Sequence, residues 1–150
     1  MPNGLYLFES IRNDREDRMK KVLIVDDNVA DTTLMCENIK SFCSDVEVRV
    51  INSSTQAKAE FESFKPDVAF IDISMPEMDG FQLIEQINQS PVRADRLIIV
   101  VSGYSDVGTL DMAMNLGADN YFVKPTSLEG YQKLAELLSD SENLREYNAL

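Results

Sequence analysis

The chain alternates short apolar runs with longer segments in which apolar residues recur every three or four positions. The apolar runs predict β-strands, and the recurring spacing predicts amphipathic helices. The predicted strands lie at about 21–26, 46–51, 67–72, 96–101 and 119–123. The predicted helices lie at about 29–42, 54–65, 80–89, 106–116 and 127–139. The spacing assigns to buried helix faces Met35, Ile39 and Phe42 in the first helix and Val107, Leu110 and Met114 in the fourth.

The apolar pattern also predicts where the strands lie in a sheet. Segment 46–50 alternates valine with charged residues, which indicates one solvent-exposed face and therefore an edge strand. Segment 67–72 is apolar throughout its interior, so we expect it near the centre. With right-handed crossovers, these positions favour the strand order 2-1-3-4-5. The sequence therefore predicts a flavodoxin-like (βα)5 fold, which is a doubly wound parallel α/β sheet.

Length and composition limit the classes of protein that fit this pattern. With 150 residues, 44% of them hydrophobic, the chain is long enough for one domain with a substantial core. We predict that the domain spans 20–139, after a loosely held extension at 1–19 and before a polar tail at 140–150. No apolar run is long enough to cross a bilayer, and the N-terminus lacks the layout of a signal peptide. We therefore expect a cytoplasmic protein without membrane insertion.

The net charge and the absence of histidine limit the ligands and reactions that this chain can support. The chain has 14 basic and 26 acidic residues, and its net charge of −12 makes direct contact with nucleic-acid phosphates unfavourable. It contains no histidine. This excludes Ser-His and Cys-His nucleophiles, histidine-bound zinc and a phosphohistidine on this chain. Any histidine that takes part in its chemistry must come from a partner.

Acidic residues and a lysine follow the predicted strands. Asp26 and Asp27 follow the first strand, Asp72 follows the third, and Lys124 follows the fifth. In a parallel sheet these ends meet at one edge, where doubly wound folds bind ligands. Carboxylates that lie close together repel one another, and a divalent cation or a lysine ammonium relieves the repulsion. A site with oxygen ligands alone favours Mg²⁺ or Mn²⁺.

Four segments at these strand ends carry distinctive motifs. The first carries the acidic pair, the second an aspartate and the loop after it, the third a serine, and the fourth an aromatic residue, a lysine and a proline. The segments are Val22–Asn28, Phe70–Gly80, Val101–Gly103 and Tyr121–Pro125. Together they resemble the receiver (response-regulator) domains of two-component and phosphorelay signalling, and the resemblance covers about 20–139, nearly the whole predicted domain.

The resemblance implies a role for each matching residue. Asp72 would accept a phosphoryl group from a phosphohistidine on a sensor histidine kinase or a histidine phosphotransfer protein. Asp27, Asp72 and the Ser74 backbone carbonyl would bind Mg²⁺ (or Mn²⁺) directly, and Asp26 would hold it through water. Lys124 would pair with a phosphate oxygen.

The resemblance also implies a conformational switch. Ser102 would hydrogen-bond another phosphate oxygen, and Tyr121 would move inward as Ser102 shifts. The surface formed by helix 4, strand 5 and helix 5 would then change shape and signal to a downstream protein that the sequence leaves unidentified. Ser74 and Tyr104 occupy positions that vary within the family, and we expect them to adjust the lifetime of the acyl phosphate. The resemblance also implies that the peptide bond between Lys124 and Pro125 is cis.

The resulting expectation is a stand-alone response regulator, a phosphoprotein that assists its own phosphorylation and dephosphorylation without being an enzyme. An aspartyl-phosphate phosphohydrolase stays open as an alternative, although it would need a second acid where Ser74 lies. A degenerate receiver that binds partners without phosphorylation is the other open alternative. A flavin-binding module on the same fold is rejected, because the acidic loop at 26–31 would repel a phosphate group.

Overall fold

The computed structural model describes residues 21–74, 79–103, 107–138 and 141–146. The predictions about the extension at 1–19 and about Tyr104 lie outside these residues. Within the described part, strands and helices alternate as the sequence predicts as far as residue 137, and one further helix follows. The domain limits stay a prediction.

Five strands and six helices lie in the described ranges. The strands are β1 (Lys21–Val25), β2 (Glu47–Ile51), β3 (Val68–Ile71), β4 (Leu97–Ser102) and β5 (Asn120–Val123). The helices are α1 (Val29–Phe42), α2 (Ser54–Phe64), α3 (Gly80–Asn88), α4 (Val107–Asn115), α5 (Leu128–Leu137) and α6 (Ser141–Glu146). Helix α6 falls in the predicted polar tail and was not predicted. None of these helices is long and apolar enough to cross a membrane.

The five strands form one parallel sheet in the order β2-β1-β3-β4-β5. This order confirms the predicted flavodoxin-like arrangement. β3 is buried along its whole length, whereas β2 at the edge is only partly covered. Their positions explain the two sequence patterns, because a central strand is covered on both faces and an edge strand is not.

Each face of the sheet carries its own hydrophobic core. Alternate residues of a strand point to opposite faces, so Leu23 and Val25 of β1 contribute to one core and Val22 and Ile24 to the other. Helices α2, α3 and α4 close the first core, and α1, α5 and α6 close the second. Because helices cover both faces, the carboxyl ends of the strands are left for polar chemistry.

Helix α4 buries less of its surface than its apolar spacing predicts. Val107 and Met114 are 63% and 39% exposed, and Ala113 is the buried residue of the helix. Apolar residues lie all round α4, so their spacing does not single out the face that packs. Phe42, at the end of α1, is also exposed rather than buried.

Helix α6 is held by contacts beside β5. Leu144 is fully buried in the core that α1 and α5 also line. The Asn120 side-chain amide donates to the Leu144 carbonyl at 2.7 Å, and Arg145 forms an ion pair with Asp119 at 3.4 Å. A helix this short has little stability alone, so tertiary contacts rather than local sequence stabilise it.

Candidate functional site

The sheet brings the predicted acidic residues to one place. β1 and β3 are neighbours, with Val25 opposite Ile71, so Asp26 and Asp72 follow at matching positions. The Asp72 N–H donates to the Val25 carbonyl at 2.9 Å, and the Asp26 N–H donates to the Ile51 carbonyl at 3.1 Å. These bonds continue the sheet past the strand ends and fix the backbone of both aspartates.

Three acids form a cluster with the composition of a cation site. Carboxylate oxygens of Asp26, Asp27 and Asp72 lie within 4.8 Å of one another. Asp26 and Asp72 are only 6% and 4% exposed, whereas Asp27 faces solvent. Every donor is an oxygen and one side is open to water, which suits Mg²⁺ or Mn²⁺. The structure therefore brings together the three side chains predicted as cation ligands.

Burial is the largest influence on the pKa of Asp26 and raises it above its ordinary value. Hydrogen bonds from Lys124 and from the Asn28 N–H, the latter at 3.0 Å, favour the ionised form and oppose the rise. The negative charge of Asp72 raises the pKa again. Since the net shift is upward, ionised Asp26 destabilises the cation-free fold, and a bound cation would offset that cost.

We expect Asp26→Asn to raise the free energy of unfolding of the cation-free protein near neutral pH. The folded-state pKa of Asp26 lies above its unfolded value, so the cost of ionisation is present in full above the raised pKa. It disappears as pH falls towards the unfolded value, and the difference between variant and wild type should shrink over that interval. Urea titrations in EDTA at several pH values measure this difference. A variant that is less stable than wild type at neutral pH would contradict the account.

Lys124 lies at the centre of the acidic cluster. Its Nζ is 2.8 Å from an oxygen of Asp26, 2.9 Å from one of Asp31 and 3.3 Å from one of Asp72. Burial alone would lower the pKa of Lys124, but hydrogen bonds to Asp26 and Asp31 and the charge of Asp72 raise it above its usual value. The ammonium therefore stays protonated and supplies a fixed positive charge beside Asp72.

Asp31 was not predicted as a site residue. It lies in the first turn of α1, where its backbone N–H donates to the Asn28 side chain at 3.1 Å. Its carboxylate contacts Lys124, which lies ninety-three positions further along the chain. The signal in the sequence is weak, because acids are common in the first turn of any helix.

Ser102 and Tyr121 lie on β4 and β5, the two strands that follow β3 in the sheet. Ser102 ends β4 and is fully buried, and its carbonyl accepts the Lys124 N–H at 2.6 Å. Tyr121 is fully buried in the core closed by α3 and α4, opposite Val100 of β4. The switch roles that the resemblance implies for Ser102 and Tyr121 stay predictions.

Ser74 lies at the start of the loop after β3. Its N–H donates to Asp72 Oδ1 at 3.0 Å, which fixes the orientation of that carboxylate, and its side chain is exposed. The proposed roles of its carbonyl in cation binding and of its side chain in lifetime stay predictions. The implied cis bond at Lys124–Pro125 is wrong, because every peptide bond in the described ranges is trans.

Gly80 packs directly against the backbone of Asp72 and Ile73, the two residues that follow β3. A Cβ at this position would overlap Ile73 Cα and would lie 2.6 Å from the Asp72 carbonyl oxygen. The Gly80 N–H donates to the Ile73 carbonyl at 3.1 Å. The first residue of α3 therefore packs against the backbone at Asp72 and Ile73, and this close approach requires a residue without a side chain.

Gly80→Ala should lower the free energy of unfolding by about 1–3 kcal/mol, because an added methyl group forces α3 away from the backbone of Asp72 and Ile73. Gly103→Ala is the matched control, since nothing lies within 4 Å of a Cβ there. We expect the control to change stability by less than about 0.5 kcal/mol. Chemical denaturation of both variants makes the comparison, and equal losses would show that the close approach at Gly80 is not what matters.

Comparison with known proteins agrees with this geometry. A family model for the response regulator receiver domain matches residues 22–136. The chemotaxis protein CheY of Listeria monocytogenes is 32% identical over 125 residues, which cover 79% of this chain and 100% of CheY. A receiver domain protein of Methanospirillum hungatei JF-1, solved by crystallography, is similar with a TM-score of 0.68 and 28% identity, covering 85% of this chain and 98% of that structure.

Longer regulators match over one part of their length. The transcriptional regulatory protein KdpE of Staphylococcus aureus is 32% identical over 109 residues, which are 73% of this chain and 45% of KdpE. The chain spans less than half the length of the transcriptional regulators that it matches. The similarity therefore concerns the domain that carries the acidic cluster.

Proposed function

Because the chain belongs to the response regulator receiver domain family, we propose that it is a signalling phospho-acceptor and that Asp72 takes the phosphoryl group. The surroundings of the Asp72 carboxylate support this choice most strongly. One oxygen accepts the Ser74 N–H at 3.0 Å, and the other lies 3.3 Å from Lys124 Nζ. The carboxylate is therefore fixed in orientation, next to a positive charge and within a cluster of acids whose oxygens suit a divalent cation.

The proposed reaction is a transfer between two side chains. A carboxylate oxygen of Asp72 attacks the phosphorus of a phosphohistidine, and a P–O bond forms as the P–N bond breaks. The imidazole leaves with the bonding electron pair and is protonated. Because this chain has no histidine, the donor belongs to a partner, which we infer to be a sensor histidine kinase or a histidine phosphotransfer protein. Such a transfer depends mainly on positioning and charge neutralisation.

Positive charge in the proposed site comes from two sources. Asp26, Asp27, Asp72 and the Ser74 carbonyl would hold Mg²⁺ or Mn²⁺, which when bound neutralises charge on the phosphoryl oxygens. Lys124 pairs with a phosphoryl oxygen from the other side. The lysine needs only a small movement for this, since its ammonium already contacts the Asp72 carboxylate.

The proposed output uses the surface of α4, β5 and α5. Ser102 lies at the end of β4, and its carbonyl is bonded to the backbone of Lys124, so a shift at either residue reaches the other. Tyr121, on the neighbouring strand β5, would move inward as Ser102 shifts and would change its packing against α4. Val107 and Met112 of α4 are exposed apolar residues, and they offer a contact area to a downstream protein.

Incubation with acetyl phosphate tests the proposed function. Intact-mass spectrometry should show one added phosphoryl group in Mg²⁺ and none in excess EDTA. No addition in Mg²⁺ would contradict the proposal and favour a receiver that binds partners without phosphorylation. Sustained turnover of a simple phosphate ester, with no stable adduct, would favour the phosphohydrolase.

A further inference from the structure

We propose that Asp31 is a positioning residue for Lys124: it holds the lysine ammonium when a divalent cation occupies the acidic cluster, and it thereby strengthens cation binding. The inference rests on the proposed function, because it presumes that the cluster binds a cation. The proposal assigns a role to a residue outside the three-acid cluster, and this role has a measurable effect on the cation affinity of the cluster.

Each carboxylate oxygen of the two buried acids already has a partner in the structure. Asp26 Oδ1 accepts the Asn28 N–H at 3.0 Å, and Asp72 Oδ1 accepts the Ser74 N–H at 3.0 Å. The other oxygen of each acid is the one that contacts Lys124 Nζ. A cation that binds through Asp26 Oδ2 or Asp72 Oδ2 therefore shares or replaces a contact of the lysine.

A bound dication and the lysine ammonium repel each other, so cation entry drives the ammonium away from Asp26 and Asp72. Asp31 is placed to receive it. Its Oδ2 lies 2.9 Å from Lys124 Nζ, and it is not a member of the cluster whose oxygens lie within 4.8 Å. An ammonium has three donors, so Lys124 keeps one strong partner even if it gives up the other two.

Asp31 is itself held towards Lys124. Its backbone is fixed by the N–H donated to Asn28, and its side chain is 30% exposed, so it is not free to swing into solvent without losing a partly buried ion pair. Tyr131 of α5 packs on the same side. Burial raises the pKa of the Tyr131 hydroxyl, and the charge of Asp31 and a hydrogen bond to it raise it further. A neutral tyrosine hydroxyl is therefore a further hydrogen-bond partner of the Asp31 carboxylate.

The alternative role of Asp31 is that of an ordinary acid in the first turn of a helix. Such an acid stabilises the helix through the helix dipole and has no dependence on Lys124. A double-mutant cycle separates the two roles, because a residue that acts through the lysine loses its effect when the lysine is removed.

The test measures Mg²⁺ binding by isothermal titration calorimetry at fixed ionic strength. We expect Asp31→Asn to weaken Mg²⁺ binding roughly fivefold in the wild-type background and by less than about twofold in Lys124→Gln. Glu37→Gln, an exposed residue of the same helix, removes the same charge and should leave binding unchanged. Asp31→Glu keeps the charge and should recover part of the affinity, and circular dichroism confirms that each variant is folded.

Three results would overturn the inference. Asp31→Asn with wild-type affinity would show that the residue does not support cation binding. An equal loss in both backgrounds would show that Asp31 acts as a remote charge and not through Lys124. A wild-type chain that binds no Mg²⁺ would overturn the proposed function as well, which distinguishes that failure from the first two.

Discussion

Asp72→Asn is expected to abolish phosphorylation by acetyl phosphate and by a partner phosphohistidine. A side-chain amide is too weak a nucleophile to form the acyl phosphate on which the proposal depends. The fold should persist, because asparagine has nearly the same volume and its oxygen can still accept the Ser74 N–H. Intact-mass spectrometry after incubation with acetyl phosphate and Mg²⁺ measures the loss directly.

The control for Asp72→Asn is Asp45→Asn, an exposed aspartate in the turn before β2. It makes the same chemical change away from the acidic cluster and should be phosphorylated like wild type. If Asp72→Asn still gained one phosphoryl group at the wild-type rate, the acceptor would be another residue and the assignment of Asp72 would be wrong.

Lys124→Gln is expected to slow phosphorylation about a hundredfold, which is typical when one preorganised charge or donor is removed from a transition state. The glutamine amide still donates hydrogen bonds but carries no positive charge to offset the phosphoryl oxygens. The rate of adduct formation with acetyl phosphate at saturating Mg²⁺ measures the effect. Lys133→Gln, which removes an exposed lysine of α5, is the matched control.

Lys124→Gln should also lower the free energy of unfolding of the cation-free protein, by about 2 kcal/mol. Removal of one partner of a buried ion pair typically costs 3–5 kcal/mol, and we expect less here because the Lys124 side chain is 20% exposed. Mg²⁺ should restore part of the loss, since the cation takes over neutralisation of the three acids. A variant with wild-type stability and a wild-type rate of phosphorylation would show that the lysine is not part of the site.

The closeness of the acidic residues, which the sequence predicted, follows directly from strand pairing. Apolar runs end at Asp26, Asp72 and Lys124, and parallel pairing of β1 with β3 is enough to put the two aspartates side by side. The edge position of β2 could be predicted for a similar reason, because its alternation of apolar and charged residues reflects one uncovered face. In each case the local pattern has a single structural consequence.

The features that the sequence did not predict depend on packing between distant segments. Asp31 meets Lys124 because α1 packs beside α5, and nothing in the first turn of α1 indicates which residue it will contact. The burial of Leu144 in α6 depends on the core beneath α5. The exposure of Val107 depends on which face of an apolar helix packs on the sheet, a choice that helical spacing left undetermined.

Chemical mapping of the phosphorylated residue tests the central claim most directly. Hydroxylamine converts an acyl phosphate into a hydroxamate, and peptide mass spectrometry then locates the modified side chain. The account predicts a single hydroxamate, at Asp72, in protein phosphorylated in the presence of Mg²⁺. A hydroxamate at Asp26 or Asp27, or a phosphate that resists hydroxylamine on a serine, threonine or tyrosine, would contradict it.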